Sequence, residues 1–241
     1  MEFTIDAYRQ LLNLIRSKGY PFCFYHEADL LEKAVILRHD VDFSLDKAVE
    51  MAKLEHEMGI RSTYFILLTT DFYNVFSKRS YEKLKRILSY GHEIGLHFDE
   101  KRYEIHSIDD FKKYVELEAT IIGNLLNIDV KVVSMHRPSI LVLDNDIQFD
   151  HLINTYSSKY FKKMKYLSDS RLSWREDPIA TIESGRYKKL QILTHPFSYT
   201  TEYKSLETRI RDFLKKAIYD RYDYINENFT ALNQVVRKED I

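Results

Sequence analysis

Four short clusters of ionisable residues follow apolar runs in this chain: Arg38-His39-Asp40-Val41-Asp42, His97-Phe98-Asp99, His136-Arg137-Pro138 and His195-Pro196. Asp40 and Asp42 lie two apart, so in extended backbone both side chains face the same way. Carboxylates that close repel one another unless a cation or a shared proton relieves them. A divalent metal ion supplies that cation, and one Asp can then ligate it while the other serves as a base. His97 ends the stretch Gly91-His92-Glu93-Ile94-Gly95-Leu96-His97, whose glycines permit close backbone approach. A neutral imidazole there is a suitable ligand for zinc and similar ions. His92, at the opposite end of the same run, reads as structural. Arg137 can hold a carboxylate through two N–H bonds and keep it ionised. His195 has a proton affinity near neutrality, as a general acid needs. The chemistry that these types suggest is metal-assisted hydrolysis.

Clusters scattered over more than 150 positions can cooperate only if the fold gathers them. Apolar residues Ile5, Tyr8, Leu11, Leu12 and Ile15 recur at helical spacing within 4–18, ended by Gly19. Ala34 to Leu37 reads as a buried strand. Ser44 caps a helix to about Glu57, with Gly59 as its stop. Strand Ser62–Leu68, helix Ser80–Tyr90 and strand Glu93–Phe98 follow. Ser107 and Asp110 resemble a capping box opening a helix to about Leu126. Val130–Met135 and Leu190–Thr194 read as further strands, and Glu202–Tyr219 as a long amphipathic helix. Strands alternating with helices predict a parallel sheet wrapped by helices. All four clusters then fall at strand C-terminal ends, the rim on which βα barrels build their active sites.

Bulk properties exclude several classes. The 241 residues suit one α/β barrel, and no linker or repeat divides them, so a single domain over 1–241 is expected. A net charge of −1 offers no electrostatic case for nucleic acid or acidic lipid as partner. Basic clusters such as Lys159 to Lys165 read as solvated helix faces. The single cysteine, Cys23, excludes an internal disulfide and a multi-cysteine zinc site. No signal-like apolar run opens the chain and no stretch is long enough for a membrane span, so a cytoplasmic location without membrane insertion is expected.

The ordered pattern RHDVD, GHEIGLHFD, HRP and LTHP resembles the polysaccharide deacetylase superfamily, the NodB-homology carbohydrate esterases. The resemblance spans about Ala34 to Pro196, and GHEIGLH is its most specific piece. It implies a distorted, seven-stranded (β/α) barrel and removal of N- or O-linked acetyl groups from sugars by a metal held by one Asp and two His. Asp40 then matches the catalytic base, Asp42 and His97 metal ligands, Arg137 the residue that orients the base, and His195 the catalytic acid. The usual adjacent Asp-Asp is spaced here by Val41, so Asp40 and Asp42 could exchange roles. The segment Asp169-Ser170-Arg171-Leu172-Ser173-Trp174 resembles the motif forming one wall of the groove, which makes Trp174, with Asp99, a substrate-binding candidate.

One departure stands out. The family's second metal histidine falls four residues after the first, where this chain has Lys101, and an ordinary ammonium has no lone pair to donate. His136 is the best substitute, ahead of Asp99 and His106. The resemblance thus implies a carbohydrate deacetylase using zinc, or cobalt, nickel or manganese, on an acetylated sugar or glycan precursor. Two alternatives differ in class: an inactive carbohydrate-binding protein on the same fold, and a hydrolase of non-sugar amides.

Overall fold

The computed structural model describes residues 1–241, which fall into two compact units, Met1–Thr201 and Glu202–Ile241. In chain order the first holds α1 (Ile5–Ser17), β1 (Ala34–Val41), α2 (Leu45–Glu57), β2 (Thr63–Leu67), α3 (Lys78–Ser89), β3 (Glu93–Phe98) and α4 (Ile108–Leu126). It continues with β4 (Val132–Met135), α5 (Ile140–Asp144), β5 (Ile153–Asn154), β6 (Lys165–Ser168), α6 (Pro178–Glu183) and β7 (Lys189–Thr194). The helix starts follow from side-chain caps: Thr4, Ser44, Ser77 and Ser107 each accept from a backbone N–H three residues on, satisfying donors that the helix itself leaves free.

All seven strands are parallel, in the order β5-β4-β3-β2-β1-β7-β6. This is the cyclic order of a (β/α) barrel, open at a single seam between β5 and β6. Contacts across its interior show the curvature. Arg38 on β1 hydrogen-bonds Ser134 on β4 and Thr155 just beyond β5. In a flat sheet, strands about 4.8 Å apart would put β5 roughly 19 Å from β1, far beyond the reach of an arginine. The fold is the distorted seven-stranded barrel expected.

The pleat sorts β1 into two faces. Ala34 and Ile36 point inward with Phe65, Val132, Tyr25 and Tyr160, whereas Val35 and Leu37 face Leu11, Leu12 and Ile15 of α1 and Met51 of α2. Arg38 and Asp40 therefore belong to the lumen and His39 to the layer behind the wall. Gly95 of β3 faces inward where space is tightest. A Cβ there would lie 2.7 Å from Phe65 Cε1 and 2.9 Å from Val132 Cγ1. Gly95→Ala is expected to destabilise by about 2 kcal/mol, the usual cost of overfilling a packed interior. Chemical denaturation checks this, and an unchanged midpoint would show that the lumen yields.

Two strands were not anticipated from the sequence. β5 has two residues and β6 four, too short for a period to show. The Lys159–Lys165 cluster is not a plain solvated helix face: Ser158–Lys162 forms one π-helical turn with Tyr160 buried, and Lys165 opens β6. In the second unit, α7 (Leu206–Asn226) is capped by Ser205 and followed by turns at Leu232–Gln234 and Lys238–Asp240. Within it Tyr222 donates to the Val236 carbonyl at 2.8 Å. No helix of the chain is long and apolar enough to cross a membrane.

Candidate metal centre and its acid–base partners

The inward face of β1 continues through Arg38 and Asp40 to Asp42, just past the strand end. β3 brings His97 beside it through the Leu67↔His97 register of β2 and β3, and His136 follows the end of β4. Three ligand atoms converge: His97 Nε2 and His136 Nδ1 lie 3.2 and 3.3 Å from Asp42 Oδ1, and 3.2 Å from each other. With bonds of about 2.1 Å, ligand atoms sit about 3.4 Å apart in a tetrahedral shell and about 3.0 Å apart in an octahedral one. The observed triangle falls between these values. Asp42 Oδ1 is buried and lacks a properly angled hydrogen bond, while His136 Nδ1 and His97 Nε2 lie at hydrogen-bond distance from each other. One carboxylate and two imidazoles are a donor set for a divalent transition metal or zinc. Asp42, His97 and His136 fit such an ion.

Asp40 stands next to this group but is held otherwise. Arg38 donates from Nε to Oδ1 at 3.2 Å and from Nη2 to Oδ2 at 2.8 Å, and both side chains are buried. Burial alone would raise the Asp40 carboxyl; Arg38, with His97 and His195, overcomes this and holds it below its ordinary range. The geometry thus separates the pair that sequence left interchangeable: Asp42 joins the triad and Asp40 is the clamped neighbour. Burial also opposes ionisation of Asp42, and the adjacent His136 and His97 reverse it to well below the usual carboxylate range.

The role expected of Arg137 is corrected. It does not touch Asp40; its guanidinium pairs with Asp99 and its side chain is 53% exposed. Arg38 takes the place beside Asp40, because positions 38, 40 and 42 share one face of the chain whereas Arg137 lies at the outer edge of the rim. Asp99 is spent on Arg137 and on capping the turn at Lys101. Lys101 and His106 are exposed. Trp174 packs against the apolar layer that contains Leu167, Ile182 and Ile192, behind the wall. His92 is structural, its ring nitrogens meeting the Ala52 carbonyl at 2.8 Å and Ser62 Oγ at 3.0 Å.

His195, at the end of β7, turns Nε2 toward Asp42 Oδ2 at 3.9 Å. Asp169, fully buried after β6, accepts from its Nδ1 at 2.6 Å and from its backbone N–H at 3.1 Å. Burial would lower this imidazole, but Asp169, then Asp40 and Asp42, push it up to about 9. His195 therefore stays protonated at neutral pH, with the Nε2 proton facing the rim. Sequence reading placed Asp169 only in a groove wall. Its bond to His195 spans 26 positions, and no local pattern signals it. The loop beyond Asp169 has two consecutive non-glycine residues, Arg171 and Leu172, at φ 61° and 54°.

No family model matches this chain, and no curated protein matches it. Among solved structures it is similar to a CE4 family pseudoenzyme from Bacillus anthracis, at 14% identity and TM-score 0.44. That match covers 77% of this chain, which spans 62% of the other. It is also similar to the peptidoglycan deacetylase PdaC from Bacillus subtilis, at 15% identity and TM-score 0.44, covering 83% of this chain and 98% of that one. The Streptococcus pyogenes deacetylase PplD, solved with acetate, is 14% identical at TM-score 0.45, covering 79% and 81%.

Proposed function

We propose that this protein is a metal-dependent hydrolase that removes an N- or O-linked acetyl group from a carbohydrate or carbohydrate precursor. The observation that carries the reading is the convergence of Asp42, His97 and His136 beside a clamped carboxylate and a charged imidazole. The ordered RHDVD, GHEIGLHFD, HRP and LTHP motifs supply the sugar-acetyl direction. Zinc suits the one-carboxylate, two-imidazole set best; cobalt, nickel and manganese are the other ions it accepts.

When bound, the ion supplies Lewis acidity, polarising the acyl carbonyl and lowering the pKa of water. The chain's residues divide the proton work. Asp40 is fixed by Arg38 with one lone pair of each oxygen engaged, and the remaining pairs can take a proton from the attacking water. His195 donates from Nε2 to the departing amine or alcohol, and Asp169 holds its ring in that orientation. Base and acid are thus held ionised and protonated by different neighbours, the division that neutral-pH hydrolysis requires.

Purified protein is expected to bind one divalent ion per chain, and with it to release acetate from acetylated oligosaccharides. Absence of either result across zinc, cobalt, nickel and manganese would remove the reading. The acid has its own signature. The His195 pKa is raised, so its proton is present below about 9 and lost as pH rises through that value. Asp169→Asn removes the largest stabiliser of the charged ring, and should move the alkaline limb of the kcat/KM profile downward by at least about one unit. An unmoved limb would exclude His195 as the acid.

A further inference from the structure

Ser134 is fully buried in the lumen on β4, directly opposite His97 in the β3–β4 register. Its Oγ accepts a 2.5 Å hydrogen bond from Arg38 Nη2 and lies 3.2 Å from His97 Nδ1. The same Nη2 donates to Asp40, while Nη1 donates to Thr155 Oγ1 at 2.9 Å. The guanidinium carbon stands 5.2 and 5.5 Å from the ring centres of Phe65 and Tyr156. One immobilised guanidinium thus touches the clamped carboxylate directly and the His97 ring through a single hydroxyl. We propose that Arg38 and Ser134 form a positioning relay that ties the metal affinity of His97 to the carboxylate of Asp40. This rests on the reading of Asp42, His97 and His136 as a metal centre.

The physical link runs through Ser134 Oγ. An imidazole that offers Nε2 to a cation carries its proton on Nδ1, and the group accepting that proton fixes ring orientation and ligand basicity. Here the acceptor is also engaged by a guanidinium. The Asp40 carboxylate holds Arg38 through two hydrogen bonds, and Arg38 in turn holds Ser134 Oγ where it meets His97 Nδ1. An amide at position 40 keeps one acceptor oxygen of the two, so the guanidinium loosens, Ser134 loses its anchor, and His97 becomes a poorer ligand.

Cobalt(II) binding to the full chain, followed by calorimetry and visible absorption, tests this in the wild type, Ser134→Ala, Asp40→Asn and the double variant. Ser134→Ala deletes one oxygen, and circular dichroism of the metal-free protein checks that the fold is kept. It should weaken cobalt binding about tenfold, the usual size of losing a ligand's hydrogen-bond partner. Asp40→Asn should weaken it as well, but by a smaller factor once Ser134 is already alanine. The direct effect of Asp40 Oδ2, 3.6 Å from His97 Nε2, is common to both backgrounds and cancels in the cycle. Wild-type affinity in Ser134→Ala, or multiplicative effects in the double variant, would overturn the relay alone. A wild type that binds no cobalt would instead overturn the metal centre on which the relay rests.

Discussion

Asp42→Ala is expected to abolish divalent-metal binding at micromolar concentration and to lower kcat/KM by at least about a thousandfold. The carboxylate is the anionic member of the triad, and its Oδ1 lies 3.2 and 3.3 Å from the two imidazole nitrogens. Two neutral imidazoles alone leave the ion short of both charge and a third anchor. Losing the ion removes carbonyl polarisation and activation of water together, each of which contributes several kcal/mol to such reactions. A thousandfold loss corresponds to about 4 kcal/mol of transition-state stabilisation. His97→Ala should behave alike, while His195→Ala should lose activity and keep the metal, since its Nδ1 is committed to Asp169. Calorimetry beside kinetics separates the two outcomes. Stoichiometric binding in both Asp42→Ala and His97→Ala would sink the assignment of the triad.

Glu55→Gln should have the largest effect on stability, about 4 kcal/mol, with the site chemistry untouched. Glu55 of α2 is fully buried; the hydroxyls of Ser62 at 2.6 Å, Tyr64 at 2.8 Å and Tyr8 donate to it, and His39 Nε2 lies 2.8 Å from its Oε1. Burial would raise its carboxyl; His39 first, then His92 and Ser62, reverse that and bring it down to about 2. An amide in its place turns an NH2 group toward donors, and removing one member of a buried charged network costs about 3–5 kcal/mol. For a chain of this length that is a fall in Tm of roughly 10 °C. The pH dependence follows from the depressed value. The ionised Glu55 contribution is complete above the ordinary carboxylate pKa of 4.5 and is lost as pH falls toward about 2. The wild type should therefore approach the variant between pH 5 and 2. A constant difference in Tm over that window would show that the carboxylate charge is not the source.

His39 illustrates why part of this molecule was legible in one dimension and part was not. In the string Arg38-His39-Asp40-Val41-Asp42 every polar residue looks equally available, yet the strand pleat sends 38 and 40 into the lumen and 39 to Glu55 behind the wall. The alternation of a strand is a local property, and it would have paired Arg38 with Asp40 had the strand been extended past Leu37 to its observed end at Val41.

By itself the sequence determined the βα alternation, five of the seven strands, the helix caps at Ser44 and Ser107, and the clusters that fall at strand ends. These rest on periodicity, capping chemistry and residue type, all of which act within a few positions. Tertiary structure alone decided that Asp42 joins His97 and His136, and that Asp169 and Ser134 meet His195 and His97. Asp169–His195 and Ser134–His97 join neighbouring strands at residues 26 and 37 positions apart, and Arg38–Ser134 crosses the barrel between residues 96 apart. Strand order and register set the first two and curvature of the sheet the third, and no local pattern in the chain encodes either.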